Sequence, residues 1–217
     1  MDRDKNWNLI GAFSGVVFVV LIVAGMAIAG DPGVEPTDSS DAIARAFADR
    51  SDDAELGSFI SLIGTLFFFP FLAYFCNRLR SAKGVEDGGG WLISAAYGGG
   101  LVTAAMSLVL LTIGMASTSV GAGVEPLVSK VLLILMWNFT LAFGPPMIAL
   151  TLGSSLVIVR YSALPKWIGW LGFAVSVTLL MPWIGMFVAF FWILIVSLVM
   201  TYQAWGSSAD QEAVPQA

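Results

Sequence analysis

Charged residues in this chain are separated by long runs that contain none. No Asp, Glu, Lys or Arg occurs in residues 6–30, 56–77, 88–124, 131–159 or 167–209. A helix needs about 20 mostly apolar residues to cross a hydrocarbon core of about 30 Å at 1.5 Å per residue, and every run meets that length. Composition agrees: 58% of residues are hydrophobic and 12% charged, where a soluble domain carries about a quarter charged. These values, with a mean hydropathy of +0.86, exclude a soluble enzyme, a disordered chain and a collagen-like fibre. They predict an all-α polytopic membrane bundle.

The first, second and fourth runs each hold one span. The third has an apolar core from Trp91 to Ala116, then a polar tail Ser117-Thr118-Ser119. The fifth, as one helix, would be roughly twice the bilayer thickness. Met181-Pro182-Trp183-Ile184-Gly185 lies in its middle. Proline removes a backbone donor and disrupts the preceding turn, and glycine permits a reversal, so a tight helical hairpin is expected there. The prediction is six transmembrane helices near 8–29, 57–76, 91–116, 128–158, 164–181 and 184–204. They form a single membrane domain over residues 1–205, followed by a polar tail at 206–217. A membrane barrel would instead show alternating segments of roughly ten residues.

Lys and Arg bias sets orientation. With the N-terminus inside, Arg3, Lys5, Arg78, Arg80, Lys83, Arg160 and Lys166 fall on inner segments, and Arg45, Arg50 and Lys130 on outer ones. The expectation is a cell (plasma) membrane protein with both termini cytoplasmic. Trp7, Trp91, Trp167, Trp170 and Trp205 fall at inner helix ends and Trp183 at an outer turn, as interfacial indoles do. The C-terminal tail lacks Lys and Arg, so its side follows from helix parity. The first span reads as uncleaved despite Ala27-Ile28-Ala29, because its apolar run exceeds the 7–15 residues of a signal peptide and Asp2-Arg3-Asp4-Lys5 has no net charge.

The absent residues narrow the chemistry. The chain has no histidine and one cysteine, Cys76. Histidine-ligated haem or zinc, histidine acid–base catalysis, an intramolecular disulfide and a thiolate cluster are all excluded. Cys76 reads as a small apolar filler. Lys130 and Lys166 stand within the first three residues of their predicted spans and no Asp, Glu, Lys or Arg lies deeper in any span, which argues against a proton pump, a carboxylate-driven antiporter and a membrane hydrolase. No phosphate loop or serine elbow appears. No enzymatic activity, cofactor or metal site is expected.

Several features could carry function. The outer loop Asp31–Glu55 is acidic, and Ile43, Ala46, Phe47 and Arg50 share one face at helical spacing. This predicts a short amphipathic helix capped by Ser40 or Asp41. A cation-gathering lid is the functional reading and plain solvation the simpler one. Asp49, Ser51, Asp53 and Glu55 imitate a calcium loop, but Ala54 stands at its glycine position and Ile60 at its closing acid. The inner loop Asn77–Gly90 carries Arg78, Arg80 and Lys83, short of the four to eight cations of a lipid-headgroup cluster. Small-residue pairs such as Ser94/Gly98 and Gly100/Ala104, with Gly11 and Gly15, suit either a dimer face or packing within one bundle. Pro70 within Phe67-Phe68-Phe69-Pro70-Phe71 predicts a kink, with phenylalanines facing lipid or the bundle. Gly-Val-Glu-Pro occurs at 33–36 and 123–126, which chance explains without a repeat.

The fourth predicted helix is the most irregular. It holds Asn138 and Thr140, then Pro145-Pro146, then Thr151, Ser154 and Ser155. Adjacent prolines free carbonyls that need other partners, and broken helices near mid-membrane form binding sites in transporters. Asn138 and Thr140, with Tyr97 on the third helix, are the candidate substrate-binding residues; Thr103 is a further conceivable partner. The simpler role for Asn138 is interhelical hydrogen bonding.

An N-terminal span, an acidic outer loop with a short helix, Cys76-Asn77-Arg78-Leu79-Arg80 and Leu164-Pro165-Lys166-Trp167-Ile168-Gly169-Trp170-Leu171-Gly172 together give a pattern. It resembles a family of bacterial, largely actinobacterial, six-helix membrane proteins classed as a domain of unknown function. The resemblance implies fold and location, and no substrate or functional residues. The expected role is a structural, interaction or accessory membrane component. Its surroundings are the lipid bilayer and a homo-oligomer or membrane-protein partner, with no nucleic acid. The alternative is a small transporter or channel beside the broken fourth helix.

Overall fold

The apolar runs lack the two-residue alternation of strands, and their described residues fold predominantly as helix. The computed structural model describes residues 2–121 and 126–212, with side chains described for 6–117, 126–181 and 183–206. Among the described residues there is no strand. The helices are α1 (Asp2–Ala29), α2 (Ser40–Asp49), α3 (Ser51–Arg80), α4 (Gly90–Gly121), α5 (Pro126–Ala142), α6 (Gly144–Tyr161), α7 (Lys166–Thr178) and α8 (Pro182–Glu212). All but Pro126 of the second Gly-Val-Glu-Pro, and the last residues of the polar tail, lie outside the described residues.

Five segments are long and apolar enough to cross a membrane: Asn6–Ala29, Ser51–Arg80, Gly90–Ser117, Pro126–Tyr161 and Trp183–Gly206. The chain is a multi-pass helical membrane protein. α7, with 13 residues, extends roughly 20 Å. It is shorter than the 164–181 predicted, because Leu179 and Leu180 turn towards α8. The hairpin falls where the sequence put it, but Gly185 acts differently. It lies in the first turn of α8, and a side chain there would strike Thr178 O and Leu179 Cα. Close approach of two backbones, not a left-handed turn, requires that glycine.

The predicted helix 128–158 is two helices. α5 ends at Ala142, and α6 restarts at Gly144 with Pro145 and Pro146 in its first positions. There a missing N–H costs nothing, because the first donors of a helix have no intrahelical acceptor. Two consecutive prolines would leave two adjacent carbonyls unpaired mid-helix, so the chain breaks and starts again. Pro70 removes one donor only, and α3 continues through it for its full 30 residues.

Six helices close into a ring in which each packs on its two neighbours: α1 on α3, α3 on α4, α4 on α6, α6 on α7, α7 on α8 and α8 on α1. Neighbours run antiparallel. Gly11 lies against Tyr74 and Gly57 against Gly25 and Ala29. Phe18 lies 5.9 Å from Phe190, and Ser197 donates to Ala12 O. The start of α1 and the end of α8 therefore share one end of the bundle. Lipid tails are as apolar as the side chains, so contact area and hydrogen bonds hold such helices together. Phe68, Phe71 and Phe75 supply that area, with Phe71 and Phe75 stacked at 5.7 Å and Trp192 edge-on to Phe75 at 6.0 Å. Phe67 and Phe69 face outward.

α2 lies outside the ring, docked on α5 and α4. Its N-cap is neither Ser40 nor Asp41 but Ser39, whose Oγ accepts from Ala42 N at 3.3 Å. Of the expected face, Ile43 and Phe47 are buried with Leu133 of α5 and packed by Val34, Ala46 is half-buried, and Arg50 is exposed and follows the end of the helix. Lys130 Nζ donates to Asp38 O at 2.8 Å and ties the loop to α5.

Candidate functional site

The three residues singled out from the sequence are not brought together around a site. Asn138 is exposed, and its Nδ2 donates to Ile134 O of its own helix at 2.8 Å. Thr140 is buried and donates to Met136 O at 3.0 Å. Tyr97 is on the outer surface of α4. The carbonyl one turn back takes the proton of Asn138 Nδ2 and of Thr140 Oγ1, so neither donor needs a neighbouring helix; Ser129 Oγ, on the same helix, is buried without a partner.

A different feature gathers five segments of chain. α6 begins only at Gly144 and α7 ends at Thr178, so part of the ring has no helix from either of them. The space they leave is a cavity of about 130 Å³. Phe18 of α1, Phe68 of α3, Phe143 and Met147 at the α5–α6 break, and Met186 and Phe190 of α8 provide its apolar wall. Ser61 and Thr65 of α3 and Thr103 and Ser107 of α4 add hydroxyls. Thr65 donates to Ser61 O at 2.9 Å, Thr103 to Gly99 O at 2.8 Å and Ser107 to Thr103 O at 2.9 Å. With their protons spent on the helix, these three oxygens can only accept.

Of the sequence candidates, only Thr103 belongs to this cavity. Its wall was nonetheless marked in the sequence. Ser61/Thr65 and Thr103/Ser107 are two hydroxyl pairs at i, i+4 spacing in the middle of apolar helices, which puts each pair on one helix face. The methionines and phenylalanines carry no such signal, because apolar residues surround them on every side of the helix.

A second polar cluster joins α6 to α7. Thr151 and Ser176 share a hydrogen bond at 2.8 Å, and Ser176 donates to Gly172 O at 2.8 Å. Trp192 Nε1 of α8 donates to Ile168 O at 3.2 Å. Ser155 Oγ is buried beside Gly172 and makes no hydrogen bond. Backbones are too close here to leave room for a ligand: a side chain at Gly172 would overlap Ser155 Oγ. This cluster holds helices together.

The remaining candidates resolve simply. Cys76 is buried in the main core. Asp52 and Glu55 border an open groove with Leu56, Phe59 and Met115. Among the described residues no three acids, cysteines or histidines come together as a metal site would require. Gly11, Gly15, Gly99 and Gly100 face neighbours inside the bundle, whereas Gly98 opens onto free space. The chain matches no protein-family model, no curated protein and no solved structure.

Proposed function

We propose that this chain is a six-crossing protein of the plasma membrane, with both termini cytoplasmic, acting as a structural or accessory membrane component without catalytic activity. One observation carries the reading. Within the spans, Thr65, Thr103, Ser107, Asn138, Thr140, Ser154 and Thr201 all donate to carbonyls of their own helices. Among the described residues no acid or base stands mid-span beside them, so no charged path leads across the bundle and no general acid or base stands ready. The antiparallel ring supports an even number of crossings, with α7 as a short sixth. Exposed Trp7, Trp91, Trp167, Trp170 and Trp205 suit one interface, with the Lys and Arg excess on the same side. Membership of the six-helix family resembled in sequence belongs to the same proposal.

A small transporter is the second reading, favoured by the cavity beside the α5–α6 break. Gentle-detergent extraction and affinity purification, with mass spectrometry of whatever co-purifies, separates the two. A stoichiometric membrane-protein partner is the expected result. A homo-oligomer that retains a solute would replace the accessory role with transport.

A further inference from the structure

We infer that the cavity between α1, α3, α4 and α8 is a binding site for the hydrocarbon chain of a membrane lipid. An engineered apolar protein cavity of about 150 Å³ stays dry and binds benzene, and the cavity here, at about 130 Å³, has room for a group of that bulk.

Its chemistry selects among occupants. No charged residue lines it, and the hydroxyls of Thr65, Thr103 and Ser107 have already given their protons to backbone carbonyls. An anion would find no positive charge and, at most, the single neutral hydroxyl of Ser61 as a donor. A cation would find no counter-charge, only neutral oxygens set apart among phenylalanines and methionines. A water molecule needs two to four partners; it could donate to two of these oxygens but would leave most of a predominantly apolar wall unmatched. A hydrocarbon chain requires none of this. The flexible, polarisable side chains of Met147 and Met186 adapt to its shape.

Position supplies the source. α4 and α8 have little direct contact, and Phe143 and Met147 line the cavity at the break between α5 and α6. Ser107, Met186 and Phe190 are each only half-buried, so the wall is not sealed. Outward residues on the same helices, among them Val20, Leu66, Val102 and Phe191, are apolar and exposed. In a bilayer, what bathes them is hydrocarbon. The inference rests on the membrane placement proposed above.

The test is photolabelling of the full-length protein in lipid nanodiscs with two probes: a phospholipid with a diazirine on its acyl chain, and an isoprenoid quinone with a diazirine on its tail. Peptide mass spectrometry then locates the adducts. The expected result is labelling of inward residues Phe143, Met147 and Met186 besides outward Phe187 and Phe191. Ala104→Leu, which fills the cavity, should reduce inward labelling about tenfold while outward labelling is unchanged and serves as the internal control. Ser107→Leu provides the same test should the first variant fail to fold, folding being judged by monodisperse gel filtration. Inward labelling by either probe supports the site, and the probe that gives it tells acyl from isoprenoid chains. Labelling confined to outward residues, or inward labelling that both filled variants leave unchanged, overturns it. Failure of the protein to fractionate with membranes would instead overturn the placement on which the inference rests.

Discussion

At the residue scale, neighbouring glycines on α4 have opposite roles. A Cβ at Gly99 would strike Pro146 O and crowd Leu150 N at 2.8 Å, and both are backbone atoms that cannot rotate aside. A Cβ at Gly98 would meet nothing within 4 Å. Gly99→Ala should therefore destabilise the protein by about 1–3 kcal/mol through overpacking, while Gly98→Ala should stay within about 0.5 kcal/mol of the parent. Thermal unfolding in detergent measures both. The sequence showed a run of three glycines and could not tell which faced a partner, because that depends on helix rotation. Ser162 is a similar case. It closes α6 in the left-handed region at φ 56°, where a Cβ crowds the following carbonyl. Ser162→Gly relieves that crowding, and a gain of about 0.5–1 kcal/mol is expected in the same assay. The orientation of Asn138 is not encoded in its local sequence. An intramembrane amide requires a partner, but a carbonyl of its own helix provides one, so nothing in the sequence decided whether it faced in or out. Asn138→Leu is expected to leave the unfolding midpoint unchanged.

Helical elements were easier to read than single side chains, because each leaves a periodic or punctuated signal. The apolar runs fixed the long helices, and Ile43 and Phe47 at i, i+4 identified α2 and its buried face. The prolines marked the α5–α6 break, although one irregular helix was expected where two occur. The length of α7 was not legible. Leu179, Leu180 and Met181 are as apolar as the helix before them, and the turn there comes from Thr178 and Leu179 packing onto Gly185, a contact distant from any local propensity. For α2 a prediction follows from its narrow attachment. Two side chains anchor it, and Phe47→Ala removes one at a cost of about 3 kcal/mol. Amide hydrogen exchange over residues 40–49 should accelerate about a hundredfold, with the ring helices unaffected. Acceleration throughout the ring would show that α2 supports the whole bundle.

On the scale of the whole molecule, the charge-free runs announce a membrane bundle, but the cavity is a property of the closed ring. It exists because α6 starts late and α7 stops early, and neither endpoint has meaning until the helices are assembled. The same short α7 makes topology the decisive question. If α7 crosses, the chain ends on the side where it began; if it only dips into the bilayer, the C-terminus moves to the opposite face. Every helix in the ring runs antiparallel to its neighbours, and α8 lies against α1 with Ser197 bonded to Ala12 O. That arrangement allows only an odd number of reversals between the two, and crossing by α7 satisfies it. Single-cysteine labelling provides the measurement. In a Cys76→Ser background, Thr37→Cys should react with a membrane-impermeant maleimide in intact cells, while Ser81→Cys and Gly206→Cys should react only after lysis. Thr37 and Gly206 reacting together in intact cells would mean five crossings, and α1 and α8 would then have to run parallel. The Ser197–Ala12 and Phe18–Phe190 contacts could not both survive that arrangement, because together they fix the two helices in opposite directions.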